Sequence, residues 1–161
     1  MGKVLDIQQA IDVAQKINSE KKVIVLAGGC FDVLHIGHIK FLEKARQKGD
    51  YLFILLESDE SVKKLKGNKR PINSQDDRAQ ILSALKFVDF VILLNGIKIS
   101  KDYDDLVEKI HPDIIAVTQN DNAIFHKQRQ AKKINAKVIS VMERLEDKST
   151  TRLAKLISQN F

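Results

Sequence analysis

The chain has 161 residues, 43% of them hydrophobic and 30% charged, with one cysteine, no tryptophan and a formal net charge of +6. A chain of this length buries about 70% of its unfolded surface, enough for one globular domain without disulfide or structural metal. Cys30 has no partner for an intramolecular disulfide. The longest apolar runs are only about six residues, far below the ~20 of a membrane-spanning helix. Met1 to Asp6 turns polar too soon for a signal peptide, and residue 6 is not the Ser or Thr of a myristoylation motif, so the expected location is the cytoplasm. The positive charge is local: five cations fall between Lys63 and Arg70, five between His126 and Lys137, and elsewhere acids outnumber bases. With few aromatics for base stacking, these small patches suit a pocket for a small polyanion better than a nucleic-acid surface.

In chain order, Ile7, Ala10, Ile11, Ala14 and Ile17 recur at helical spacing and predict a leading helix over 6–18. The apolar run 23–27, closed by Gly28-Gly29, predicts a strand buried on both faces. A helix follows over 37–48, ended by Gly49, and then a strand over 51–56. Residues 59–66 predict a short helix, and Gly67 to Pro71 a loop. Ser74 caps a helix over 75–86. The pattern continues with a strand at 90–94, a helix at 102–110, a strand at 113–117, a helix at 123–134 and a strand at 137–141. A terminal helix spans 149–158, capped by Ser149. Five buried strands alternating with helices predict a Rossmann-like, doubly wound α/β fold: a five-stranded parallel sheet with helices on both faces. Ligands in such folds collect beyond the carboxyl ends of the strands, which directs attention to the loops after residues 27, 57 and 117.

The first of these loops is Gly28-Gly29-Cys30-Phe31-Asp32-Val33-Leu34-His35-Ile36-Gly37-His38, and it opens a helix. Paired glycines let backbone approach a ligand, and the free N–H groups of the helix start attract anions. His35 and His38 are spaced to face the same way, with Gly37 leaving room between them. A zinc site starting at Cys30, His35 and His38 is set aside because no second ligand pair follows. Cys30 reads as a small packed residue rather than a nucleophile. Asp32 reads equally as a brace of the loop and as a ligand for an acceptor hydroxyl. The Lys63–Arg70 run reads as functional and the His126–Lys137 run as a solvated helix face. His111 and His126 read as structural.

The motif G-G-C-F-D-V-L-H-I-G-H resembles the cytidylyltransferase-like nucleotidyltransferases, whose H-x-G-H binds the triphosphate. Leu65-Lys66-Gly67, the segment Arg70-Pro71-Ile72-Asn73 running to Arg78, and Lys148-Ser149-Thr150-Thr151 resemble further motifs of that family in the same order. Residues 21–161 are accordingly read as a single nucleotidyltransferase domain behind a leading helix in 1–20. The resemblance implies in-line attack of an acceptor phosphate on the α-phosphorus of a nucleoside triphosphate, with release of pyrophosphate. It gives catalytic roles to His35, His38, Lys66 and Arg78, the last at the β,γ end. Nucleotide contacts fall to Gly29, Cys30, Phe31, Thr118, Ser149, Thr150 and Thr151, and acceptor contacts to Asp32, Lys66 with Lys64 as substitute, and Asp121. Mg²⁺ is expected to be held through the triphosphate, with no metal-ligating side chains. The partners implied are a nucleoside triphosphate and a small phosphorylated acceptor, without nucleic acid or membrane, a homodimer being admissible. H-I-G-H also marks class I aminoacyl-tRNA synthetases, an alternative that fails on length, and a silent nucleotide- or nucleic-acid-binding module is the non-enzymatic alternative.

Within the family, Leu65-Lys66-Gly67 with Arg70-Pro71-Ile72-Asn73, and Ser83 to Val91, resemble heptose 1-phosphate adenylyltransferases, with ATP as donor. Glycerol-3-phosphate cytidylyltransferases and FAD synthetases are the alternatives. Two departures from the heptose pattern touch base and acceptor: Thr118 to Asn122 replaces K-G-G-D-Y, and Glu57 stands in place of Asn.

Overall fold

The computed structural model describes residues 1–97 and 99–143. Their elements run β1 (Lys3–Leu5), α1 (Ile7–Ser19), β2 (Ile24–Gly29), α2 (Ile36–Arg46), β3 (Tyr51–Glu57), α3 (Asp59–Lys66), α4 (Gln75–Ser83), β4 (Phe90–Leu94), α5 (Ser100–Ile110), β5 (Ile114–Thr118), α6 (Ile124–Ile134) and β6 (Lys137–Met142). The proposed terminal helix, with Ser149, Thr150 and Thr151, lies outside the described residues.

All strand pairs are parallel, in the order β1-β4-β3-β2-β5-β6. Among the described residues the sheet therefore has six strands, not the five expected from sequence. The extra one is β1, which pairs Lys3–Leu5 with Phe90–Ile92 at the edge. Three residues are too few to display a period, and only the β4 edge makes them a strand. Among the described residues the expected helices and strands otherwise appear with shifted ends. Alternate residues of each strand enter opposite apolar layers. Ile24, Leu26, Phe53, Leu55 and Ile92 pack with Ala10 and Ala14 of α1, Leu106 and Ile110 of α5, and Ala131 of α6. Val25, Ala27, Leu52, Ile54 and Val91 pack with Phe41, Leu42 and Ala45 of α2 and Ala79 and Leu82 of α4. Because both faces are covered, the strands read as continuous apolar runs. The leading helix belongs to this core, since Ala10 and Ala14 are fully buried.

At the amino edge of the sheet, aspartates that precede three strands bind neighbouring backbone. Asp50 accepts Val23 N–H, Asp89 accepts Leu52 N–H and Asp113 accepts Ile24 N–H, each at 2.8 Å. These contacts fix strand register and leave the opposite edge free for chemistry. From β2 the chain proceeds outward to β3 and β4, then crosses back to β5 and β6. The carboxyl ends of β2 and β5 thus flank the point where strand order reverses, the usual ligand crevice of an open parallel sheet.

Candidate active site

A cavity of about 370 Å³ opens at that crevice. Its floor is the loop from Gly28 to the start of α2. Phe31 holds a left-handed backbone, φ 45°, with its ring turned back over Gly29. A Cβ on Gly29 would stand 3.0 Å from that ring, so any larger residue here would require the Phe31 ring to shift by a few tenths of an ångström. His35 caps α2: its Nδ1 accepts Gly37 N–H at 3.1 Å, which leaves Nε2 as the protonated nitrogen when the ring is neutral. The His35 and His38 rings lie 3.8 Å apart between centroids, and His38 also packs on Phe31 at 5.3 Å. Burial, then the charges of His35 and Lys66, push His38 down to about pKa 4. Burial lowers His35 as well. At neutral pH the pair is uncharged, two imidazole groups at a helix N-terminus where an anion would find N–H donors. His38 Nδ1 is buried and has no hydrogen-bond partner among the described residues.

Cations close the cavity on two sides. Lys66, the last residue of α3, and Arg70 line one side, and Lys127 of α6 lines the other with Thr118 and Asp121. Thr118 follows a register irregularity between β5 and β6, a displacement of the kind that re-aims a side chain at a sheet rim. Asp121 accepts Ala123 N–H at 2.7 Å and pairs with Lys127 Nζ at 2.8 Å, which fixes the turn into α6. Cys30 lines the cavity, and burial pushes its thiol above the usual range, as suits a packing residue rather than a nucleophile. Among the described residues no group of three or more His, Cys, Asp or Glu side chains is placed to hold a metal ion.

A family model described as cytidylyltransferase-like matches residues 26–155. The chain belongs to the cytidylyltransferase-like family. Membership makes it a nucleotidyltransferase. The bifunctional protein HldE of Campylobacter concisus is 41% identical over 92% of this chain, which spans 30% of that relative's length. The HldE of Aliarcobacter butzleri is 39% identical over 92% of the chain and 29% of that relative. An FAD synthase of Thermococcus sibiricus is 40% identical over 78% of the chain and 84% of its own length. Among solved structures, a lipopolysaccharide core biosynthesis protein from Thermoplasma volcanium is 31% identical with a TM-score of 0.59, covering 76% of this chain and 96% of that one. The fold is shared as well with a pantoate-beta-alanine ligase from Francisella tularensis, with TM-score 0.69 and 17% identity over 96% of this chain and 73% of that one.

Set in this cytidylyltransferase-like frame, Gly29, Cys30, Phe31, His35, His38, Lys66, Thr118 and Asp121 come together around the one cavity. Three expectations are corrected. Arg78 is 0% exposed and does not reach the cavity. Its guanidinium is spent on Asn73 O, Cys30 O, Glu57 O and the Asp59 carboxylate, so it braces the walls and is not placed to meet a β,γ-phosphate. Lys64 points to solvent, paired with Glu60 one helical turn back at 2.8 Å, and does not substitute for Lys66. Asp32, for which sequence left two readings open, lines the cavity but is 3% exposed, and its contacts are those of the brace. Its carboxylate pairs with Arg70 and accepts the N–H groups of Ile72 and Asn73, which consumes the lone pairs an acceptor hydroxyl would need. Ser149, Thr150 and Thr151 fall outside the described residues.

Two cavity cations were not singled out from sequence. Arg70 lay in a recognised segment without a role of its own. Lys127 was hidden in the run read as a solvated face. Its available signal was electrostatic, because a lysine four residues into a helix sits at the positive end of the dipole and gains from an anionic neighbour.

Proposed function

We propose that the chain transfers AMP from ATP to a phosphorylated sugar, D-glycero-D-manno-heptose 1-phosphate, releasing pyrophosphate, with Mg²⁺ held through the triphosphate oxygens. The observation that carries this reading is a single cavity in which an anion-binding helix start with two neutral histidines faces Lys66, Arg70 and Lys127. The likeness to HldE over nearly the whole chain supports the choice of donor and acceptor. In this reading a phosphate oxygen of the acceptor attacks the α-phosphorus, and the bond to the bridging oxygen breaks with its electrons leaving on pyrophosphate. No covalent enzyme intermediate forms. His35 and His38 donate to the oxygens on which charge accumulates, and Lys66 orients the acceptor phosphate for in-line attack. When bound, Mg²⁺ supplies further neutralisation of the triphosphate.

A second reading, AMP transfer to FMN, is favoured by the FAD synthase relative, most of whose length this chain covers. Of the two departures from the heptose pattern, the Thr118 to Asn122 loop lends Thr118, Asp121 and Asn122 to the cavity, whereas Glu57 does not line it and accepts the Tyr103 hydroxyl at 2.5 Å. Pyrophosphate release from ATP or CTP, with Mg²⁺ and with heptose 1-phosphate, glycerol 3-phosphate or FMN, separates the readings. Turnover is expected for ATP with heptose 1-phosphate and only background without Mg²⁺ or acceptor. Turnover with FMN alone transfers the assignment to the second reading, and background across the panel leaves a binding module.

A further inference from the structure

Helix α3 is a slender support for a residue that has to meet a substrate. It has eight residues, and Val62 is its one buried side chain. Lys66 stands at its far end, about 10 Å along the axis from Asp59. Polar contacts hold the near end: the Ser58 hydroxyl accepts Ser61 N–H, Asp59 pairs with Arg78 at 2.6 Å, and the Ser61 side chain hydrogen-bonds Tyr103. The second is the most consequential. Arg78 is fully buried, and its remaining donors hold Cys30 O at 2.5 Å, Glu57 O at 2.9 Å and Asn73 O at 3.1 Å. One guanidinium therefore joins the phosphate loop after β2, the end of β3, the loop before α4 and the first turn of α3.

We propose that the Arg78–Asp59 ion pair is a positioning device that fixes α3 to the phosphate loop and thereby holds Lys66 over the cavity. Asp59 and Arg78 act through Lys66 and touch no substrate. The consequence for turnover rests on the reading above, in which Lys66 orients the acceptor phosphate, whereas the placement of Lys66 does not depend on it. Burial of Arg78 gives the pair its leverage. Asp59 itself is half exposed, but the guanidinium it meets is fully buried, so loss of the carboxylate leaves that buried cation without its one charged partner at the base of α3.

Cys30, the only cysteine in the chain, reports on this placement without any substrate. It lines the cavity, and the charges of Lys66 and, less strongly, Arg78 partly offset the burial that raises its thiol. The experiment follows the pH midpoint of Cys30 alkylation by iodoacetamide in the wild type, Lys66→Ala, Asp59→Asn and the double variant, each checked for a native thermal transition. Lys66→Ala is expected to raise the midpoint by roughly half a pH unit. Asp59→Asn is expected to raise it in the wild-type background and to add nothing in the Lys66→Ala background. In parallel, Asp59→Asn should lower kcat/KM for heptose 1-phosphate roughly 5- to 20-fold with KM for ATP unchanged, again without further effect once Lys66 is alanine. A midpoint unmoved by Asp59→Asn, an equal effect in both backgrounds, or a midpoint unmoved by Lys66→Ala overturns the positioning role. Should the thiol measurements come out as expected while Lys66→Ala retains full turnover, the positioning stands and the acceptor role of Lys66 falls.

Discussion

Burial and the nearby charges of His35 and Lys66 hold His38 near pKa 4 in the folded protein, against an ordinary value of 6.5. Between these values the unfolded chain binds a proton that the folded chain does not, so stability rises with pH across the window. On acidification it is lost progressively from pH 6.5 to 4, by up to about 3 kcal/mol from this residue, and no further below 4. Urea unfolding at pH 7, 5.5 and 4 should show a steeper acid loss in the wild type than in His38→Gln; equal slopes would remove His38 from this role. Being neutral, the two imidazoles offer N–H donors rather than standing charge. His35→Ala and His38→Ala should each lower kcat by roughly 10²–10³-fold with unchanged circular dichroism, as for loss of a preorganised donor to a charged transition state. A variant with near wild-type turnover would take its histidine out of the chemistry.

At the scale of elements, Gly49 shows how a correctly noticed residue acquires a different meaning. From sequence it ends the second helix. In the structure α2 ends at Arg46, and Gly49 is not one of the glycines with a left-handed backbone, which among the described residues are Gly67 and Gly96. Its requirement is steric. A Cβ there would lie 2.7 Å from Val23 Cγ1 and Val25 Cγ2 and 2.9 Å from Val23 O, where the chain turns close against β2 on its way into β3. Gly49→Ala should therefore cost about 1–3 kcal/mol through overpacking, read as a lower urea midpoint at constant m-value. An unchanged midpoint would show that the turn relaxes freely. The same crowding occurs at Gly2, where a Cβ would stand 2.5 Å from Val88 O, beside the short edge strand β1.

Across the whole molecule, the two basic runs differ in reach although their compositions are alike. The first delivers Lys66 and Arg70 to the cavity. The second delivers only Lys127, while Lys132 and Lys133 lie exposed further along α6. Lys127→Ala should lower kcat/KM roughly tenfold at both low and high salt, because the charge it removes borders the substrate. The Lys132→Ala, Lys133→Ala double variant should lower it by at most two- to threefold. That loss should vanish as added salt shortens the Debye length from about 20 Å to about 6 Å. Steady-state kinetics at 20 and 300 mM NaCl make the comparison, and a larger salt-independent loss in the double variant would reverse the assignment.

What the sequence determined by itself was local and periodic. Apolar runs such as 23–27 and 51–56 specify strands covered on both faces, the spacing of Ala10, Ala14 and Ile17 specifies a buried helix stripe, and Gly28 to His38 specifies an anion-binding turn into a helix. Each of these signals is complete within about a dozen residues. Tertiary structure decided whatever depends on a partner distant in sequence. Strand β1 exists because β4 offers it an edge. Arg78 and Asp32 are charges of the right kind in the right segments, but whether a charge faces a substrate or a protein group depends on which groups fold around it. Buried Arg78 meets Cys30 O, Glu57 O and Asp59, and Asp32 meets Arg70, whereas Lys66 lines the cavity.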